Sequence, residues 1–169
     1  VVGVPSAANA ALPVKSVADR RIWRMYKRVL REGRAITPES PAEDLHELRK
    51  SCKKLRYLIE FYISLYDQKS IRPLVKALKR LLDNLGEFQD LEVHAEHLHD
   101  FAAQMQKQGE VPLETLLAMG ALVGGLLQRQ QSARQAFAQR FEGFDTRDNR
   151  AAYRRLFKPH PVGDEEARA

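Results

Sequence analysis

The 169-residue sequence predicts an all-α protein, an antiparallel bundle of about five or six long amphipathic helices with basic faces. Three observations predict it. Apolar residues recur at spacings of three and four through most of the chain, helix-start and helix-stop residues separate those runs, and no β alternation is long enough to defend. The intervening loops are short, which suits antiparallel neighbours.

Residues 1–14 read as a linker, 15–158 as one helical domain and 159–169 as a tail. The opening segment lacks the basic leading region of a secretory signal, and a start on Val1 fits an excerpt of a longer protein. The first helix is expected over Lys15–Arg34, with Ala18, Ile22, Met25 and Val29 facing the core and Gly33 near its end. Ser40, Pro41 and Glu43 form a helix start, with a capping side chain, a proline in the first turn and an acid near the positive end. The second helix is expected to reach Tyr66. A third starts near Ser70, holds Pro73 in its first turn and ends at Gly86; a fourth covers Gln89–Gln108. Beyond Gly109 and Pro112 a long fifth helix runs to Phe141, and a short sixth covers Thr146–Leu156. Thr115–Leu127 carries no charge, but it is shorter than the roughly 20 residues a bilayer requires. Its Gly120, Gly124 and Gly125 predict a helix packed closely inside the bundle.

The charge is unevenly distributed. Formal net charge is +6, yet Val1–Arg80 carries 18 Lys and Arg against 8 Asp and Glu, while the remainder is net acidic. That asymmetry points to a local surface for an anionic partner. The one cysteine, Cys52, fits a reducing compartment such as the cytoplasm.

The second helix carries the main signal. Leu45, Leu48, Cys52, Leu55, Ile59 and Tyr62 form a core seam at alternating spacings of 3 and 4. His46, Arg49, Lys53, Tyr57 and Glu60 are expected on the opposite side, flanked by Lys50 and Arg56. Like charges one turn apart weaken a helix by a few tenths of a kcal/mol per pair, about 0.2–0.5, and an anionic ligand offsets that repulsion. The first helix repeats the pattern with Arg20, Arg24, Lys27, Arg28 and Arg31, and the third adds Lys76, Lys79 and Arg80 beside Arg72. Three such helices packed core to core are expected to bring their basic faces to one groove. Forked arginine donors and mobile lysine charges suit a flexible chain of repeated phosphates.

The run Leu45-His46-Glu47-Leu48-Arg49-Lys50-Ser51-Cys52-Lys53-Lys54-Leu55-Arg56-Tyr57-Leu58-Ile59-Glu60-Phe61 resembles the signature of the CHAD family, the conserved histidine α-helical domain. Leu85-Gly86-Glu87-Phe88-Gln89-Asp90 is similar to a second family motif, a helix break after the third helix. Arg21-Ile22-Trp23-Arg24-Met25-Tyr26-Lys27-Arg28 is similar to the family helix preceding the histidine motif. The resemblance covers Val17–Phe144. It implies an all-helical fold that binds inorganic polyphosphate in a basic groove, with no catalytic site and no cofactor, and association with polyphosphate granules. Carried over by motif, the binding residues are His46, Arg49, Lys50, Lys53, Arg56 and Tyr57. A full family domain has two related halves, each with a histidine motif, and this chain has one motif, resembling the second. The expected partner, besides polyphosphate, is therefore a second copy of the chain or a missing first half.

Two other readings compete. Nucleic acid offers the same phosphates, but single-strand binders add aromatic stacking platforms, and Tyr57 is the one aromatic placed on a basic face. A metal-dependent phosphohydrolase draws on Glu87, Asp90, His94 and His97, spaced 3, 4 and 3. A di-metal bundle site needs matching Glu-x-x-His pairs on two helices, and the sequence has none, so no metal is expected.

Overall fold

A computed structural model describes residues 13–109 and 111–159. Among them run five α-helices and one 3-10 turn, with no strand: α1 (Val14–Ala35), α2 (Ala42–Phe61), the turn Ile63–Leu65, α3 (Gln68–Gln108), α4 (Leu113–Phe144) and α5 (Arg147–Phe157). The chain is thus an all-α bundle. The linker and tail expected at its ends lie almost wholly outside the described residues.

The α2 seam forms as its spacing predicts. Leu45, Leu48, Cys52, Leu55 and Ile59 are buried, and Tyr62 is half-buried. Each such side chain contributes about 1.5–3 kcal/mol when fully buried. On α1 the seam is Ala18, Ile22, Tyr26 and Val29; Tyr26 takes the core position expected of Met25, which is only partly buried. The helix ends also differ from expectation. α2 starts after Pro41, and the Ser40 hydroxyl accepts from the Thr37 amide at 2.9 Å, capping the preceding turn instead of the helix. α2 stops at Phe61, where the chain tightens into the 3-10 turn and buries Tyr66. The α3 cap is Asp67, which accepts from the Ser70 amide at 2.9 Å and moves the start upstream, leaving Pro73 in the second turn.

The largest departure is at Gly86. The helix break expected there is absent, and α3 runs unbroken through it, 41 residues in all. A mid-helix glycine costs about 0.5–1 kcal/mol relative to alanine. Burial of Leu81, Leu82, Leu85, Phe88 and Leu91 around it outweighs that. α3 and α4 form the most extensive helix pair, antiparallel, pinned where buried Asn84 donates to the Ala133 carbonyl at 3.0 Å. Arg134 of α4 donates to the Pro38 carbonyl at 3.0 Å and to the Ser40 carbonyl, tying down the α1–α2 link.

The far ends of α3 and α4 make a two-helix arm. Beyond Ala95, α3 buries no residue, and before Ala133, α4 buries only Met119. Phe101, Leu113, Leu117, Leu122 and Leu127 are exposed on it. Gly120, Gly124 and Gly125 face open space, so Thr115–Leu127 is not the closely packed inner helix its glycines suggest. At the other end α4 returns to the core through Phe137, Phe141 and Phe144. There the Phe141 ring lies on Gly33, where a Cβ would overlap it. α5 closes this end, capped by Thr146 and anchored by fully buried Tyr153 and Phe157. The Tyr26 and Tyr153 rings stack at 3.8 Å. No described helix is long and apolar enough to cross a membrane.

Candidate functional site

The basic row of α2 does not point to open solvent. Its registry with α3 leaves Arg49, Lys53 and Arg56 half-buried on the flank that meets α3, with Tyr57 beside them and 57% exposed. Together with α4 these residues form a groove of about 610 Å³. Arg49, Lys53, Arg56 and Tyr57 make one wall, Leu126 and Arg129 of α4 the other, and α3 the floor. The groove continues along the α3–α4 edge into a second hollow that shares Asp83, Glu87 and Arg129 and adds Arg80 and Arg140.

Gly86 shapes the floor beneath Arg49. A Cβ there would stand 3.8 Å from the guanidinium Nε, an ordinary contact. That Nε is buried and makes no hydrogen bond within the protein. A buried charged donor left unpaired is costly, by about 1–3 kcal/mol or more. Arg49 and Lys53 make no ion pair among the described residues, whereas Arg56 bonds Glu60 of its own helix at 2.7 Å.

The floor is acidic. Asp83, Glu87 and Asp90 lie on it, with His94 at the arm end, and Arg129 approaches Glu87 at 3.9 Å. Spacings of 4 and 3 put all three acids on one side of α3, and Glu87 and Asp90 belong, with His94 and His97, to the set a metal site would draw on. Among the described residues no group of three His, Cys, Asp or Glu lies close enough to share a metal ion.

Several predicted residues stand elsewhere. His46 turns away from the groove: its Nε2 is 2.8 Å from Glu92 Oε2, off the line of a hydrogen bond, and its ring packs by Phe88. An imidazole held between Glu92 and, at 3.9 Å, Glu43 is poorly placed for phosphate. Lys50 is exposed and bonds Glu47 at 2.5 Å. That contact, with its charge attraction, raises the lysine above its ordinary value and lowers Glu47 below its own. Lys76 and Lys79 are exposed beyond the groove's end, and Arg20 and Arg24 are exposed on α1 without lining it. Arg28 bonds Glu32 at 2.6 Å. The three basic faces therefore do not converge on one groove, because α1 packs on the side of α2 away from it.

Lys27 and Arg31 line a different cavity, of about 630 Å³, between α1 and α5. Arg34, Arg150 and Arg154 share it, with Trp23, Tyr26 and Leu30. Sequence reading missed the α5 arginines; their four-residue spacing, immediately beside the Tyr153 and Phe157 stripe, was the available signal. Asp145, at the α4–α5 corner, binds Arg34 at 2.8 and 3.1 Å and Arg150 at 2.7 Å. Burial pushes its carboxyl up, but these bonds outweigh burial and hold it below the usual aspartate value.

The CHAD domain family model matches residues 2–99, more than half of the chain, covering α1, α2 and most of α3. The arm beyond residue 99, the rest of α4 and α5 lie outside the match. No curated protein shows significant similarity to the chain.

Proposed function

The chain belongs to the CHAD family, and from that premise we propose that it binds inorganic polyphosphate along the groove between α2 and α4, without chemistry. The observation that carries this reading is the pair Arg49 and Lys53: two half-buried cations one turn apart in the groove wall, neither in an ion pair among the described residues. A phosphate oxygen on the rim accepts from the guanidinium and from Lys53, and charge-assisted bonds of this kind are about twice as strong as neutral ones. Arg56, Tyr57 and Arg129 offer further donors, and Arg80 and Arg140 extend the path along α3 and α4. The acidic floor keeps the ligand on the rim, where it meets the bases and not the carboxylates. An extended phosphate chain satisfies this geometry better than one compact anion.

No group in the groove is set up as a nucleophile. Cys52 is fully buried beneath it, burial holds its thiol well above the ordinary value, and Ser51 is buried beside it. A binding role fits recruitment of the chain to polyphosphate granules in the cytoplasm. Pairing of two chains across their grooves belongs to the same reading. Light scattering with and without polyphosphate tests it, and a monomer under both conditions with undiminished affinity would reject pairing.

Tyr57 is the one aromatic at the groove, so stacked bases find little support there. Titration of long-chain polyphosphate against single-stranded DNA, at matched phosphate concentration and salt, separates the two ligands. Polyphosphate is expected to bind more tightly, with affinity falling steeply as salt rises. Equal or tighter DNA binding would overturn the proposal.

A further inference from the structure

We propose that the cavity between α1 and α5 is a second anion site, separate from the groove, that takes a short oligophosphate group, free or carried by a nucleotide. Five cations line it and no acid does: Lys27, Arg31 and Arg34 from α1, Arg150 and Arg154 from α5. Like charges one helical turn apart repel, and here two such rows face each other across one hollow. Asp145 compensates Arg34 and Arg150 only. Lys27, Arg31 and Arg154 make no ion pair among the described residues.

The wall behind these cations supplies no counter-charge of its own. The Tyr26 hydroxyl is buried in the cavity wall and makes no hydrogen bond within the protein. Its ring is fixed by stacking on Tyr153, so the hydroxyl cannot swing out to find a partner. Burial, followed by the nearby Asp145 charge, raises Tyr26 to about 12, so the wall behind the cations adds no negative charge near neutrality. Phosphate oxygens would accept from the guanidinium and ammonium groups that line the cavity in front of it.

The span of the cations argues for a short group. Lys27 to Arg34 spans about 10 Å along α1 at 1.5 Å per residue, and Trp23 and Leu30 bound the cavity with apolar surface. This site stands independently of the polyphosphate reading, since it shares no residue with the groove.

Trp23 is the single tryptophan of the chain, so its fluorescence reports on this cavity. The full chain is titrated with tripolyphosphate, ATP and orthophosphate while that signal is followed. A saturable change with tripolyphosphate is expected. Arg154→Glu should weaken it by about tenfold or more, and Arg155→Glu, next to it on α5 but outside the cavity, by less than about twofold. Lys27→Gln, which leaves α5 untouched, should weaken it by about threefold or more, and it decides the matter if Arg154→Glu does not fold. Lys53→Glu should leave the fluorescence titration unchanged. ATP matching tripolyphosphate identifies a nucleotide as the carrier, and tripolyphosphate binding more tightly identifies the free chain; either supports the site. The proposal is overturned by no saturable change, by orthophosphate binding as tightly as tripolyphosphate, by equal losses in Arg154→Glu and Arg155→Glu, or by loss of the signal in Lys53→Glu.

Discussion

The groove between α2 and α4 and the cavity between α1 and α5 are both lined by arginine and lysine, but they rest on different floors. Asp83, Glu87 and Asp90 underlie the groove, while aromatic and apolar side chains underlie the cavity, with Asp145 at its corner as counter-charge. The groove draws its bases mostly from the basic first half of the sequence and its acids from the second. The cavity reverses part of that, since α5 comes from the net-acidic half and still supplies two of the five cations. A surplus of charge along the chain therefore does not locate the positive surface. Helix registry does, by choosing which faces meet. The groove runs on into the hollow beside Arg80 and Arg140, which fits a chain ligand; the cavity is backed by a packed aromatic cluster.

That cluster gives the largest expected effect. Tyr153→Ala removes a fully buried ring stacked on Tyr26 and touching Phe144 and Phe157. It should destabilise the fold by about 3–5 kcal/mol in denaturant unfolding, the range for large aromatic truncations. Tyr153→Phe keeps the packing and removes a buried hydroxyl that has no partner within the protein, so it should be neutral or slightly stabilising. A comparable loss in both variants would show that the hydroxyl, and not the ring, holds α5.

Two glycines sharpen the contrast next. Gly33→Ala places a methyl into the Phe141 ring, and a loss of about 1–3 kcal/mol is expected from overpacking. Gly86→Ala meets only Arg49 Nε at 3.8 Å and removes a helix-weakening residue, so a gain of about 0.5–1 kcal/mol is expected. Thermal melts of the pair decide between them. If Gly86→Ala were the more damaging change, Gly86 would not be a plain helical position.

Asp145 provides a smaller, pH-dependent difference between the two ends. Its folded pKa is depressed, so the stability it contributes is present above the unfolded aspartate value of about 3.9 and is lost as pH falls through the folded value. The melting temperature of the native chain should fall over that acid range, and Asp145→Asn should flatten that part of the profile. An unchanged acid slope in the variant would remove Asp145 from the account.

Much of this fold was legible in the sequence. The α2 seam could be read residue by residue because each apolar position falls at helical spacing and is buried on one side. The break at Gly86 misled because glycine's local preference is weak beside burial of the flanking leucines and Phe88. The arm glycines misled in the opposite direction: an uncharged helix suggests burial, yet nothing among the described residues covers Gly120, Gly124 or Gly125. At the site, the basic row on α2 was visible, but its division was not. Lys50 and His46 face acids while Arg49 and Lys53 face the groove, a distinction set by which flank α3 occupies. The pairing of α1 with α5 joins residues more than a hundred positions apart, beyond the reach of local spacing.

The most direct test of the central claim compares two charge reversals. Lys53→Glu places an acid in the groove wall, whereas Lys107→Glu makes the same change in net charge on the exposed last turn of α3. Lys107 is about 25 Å along the helix axis from Asp90, at 1.5 Å per residue. Both variants should retain the fold, with stability changes under about 1 kcal/mol. In titrations with long-chain polyphosphate, Lys53→Glu should weaken binding by about 1–3 kcal/mol and Lys107→Glu by no more than a few tenths, about 0.3. Equal losses in the two would mean that binding follows overall charge, and the groove between α2 and α4 would not be the site.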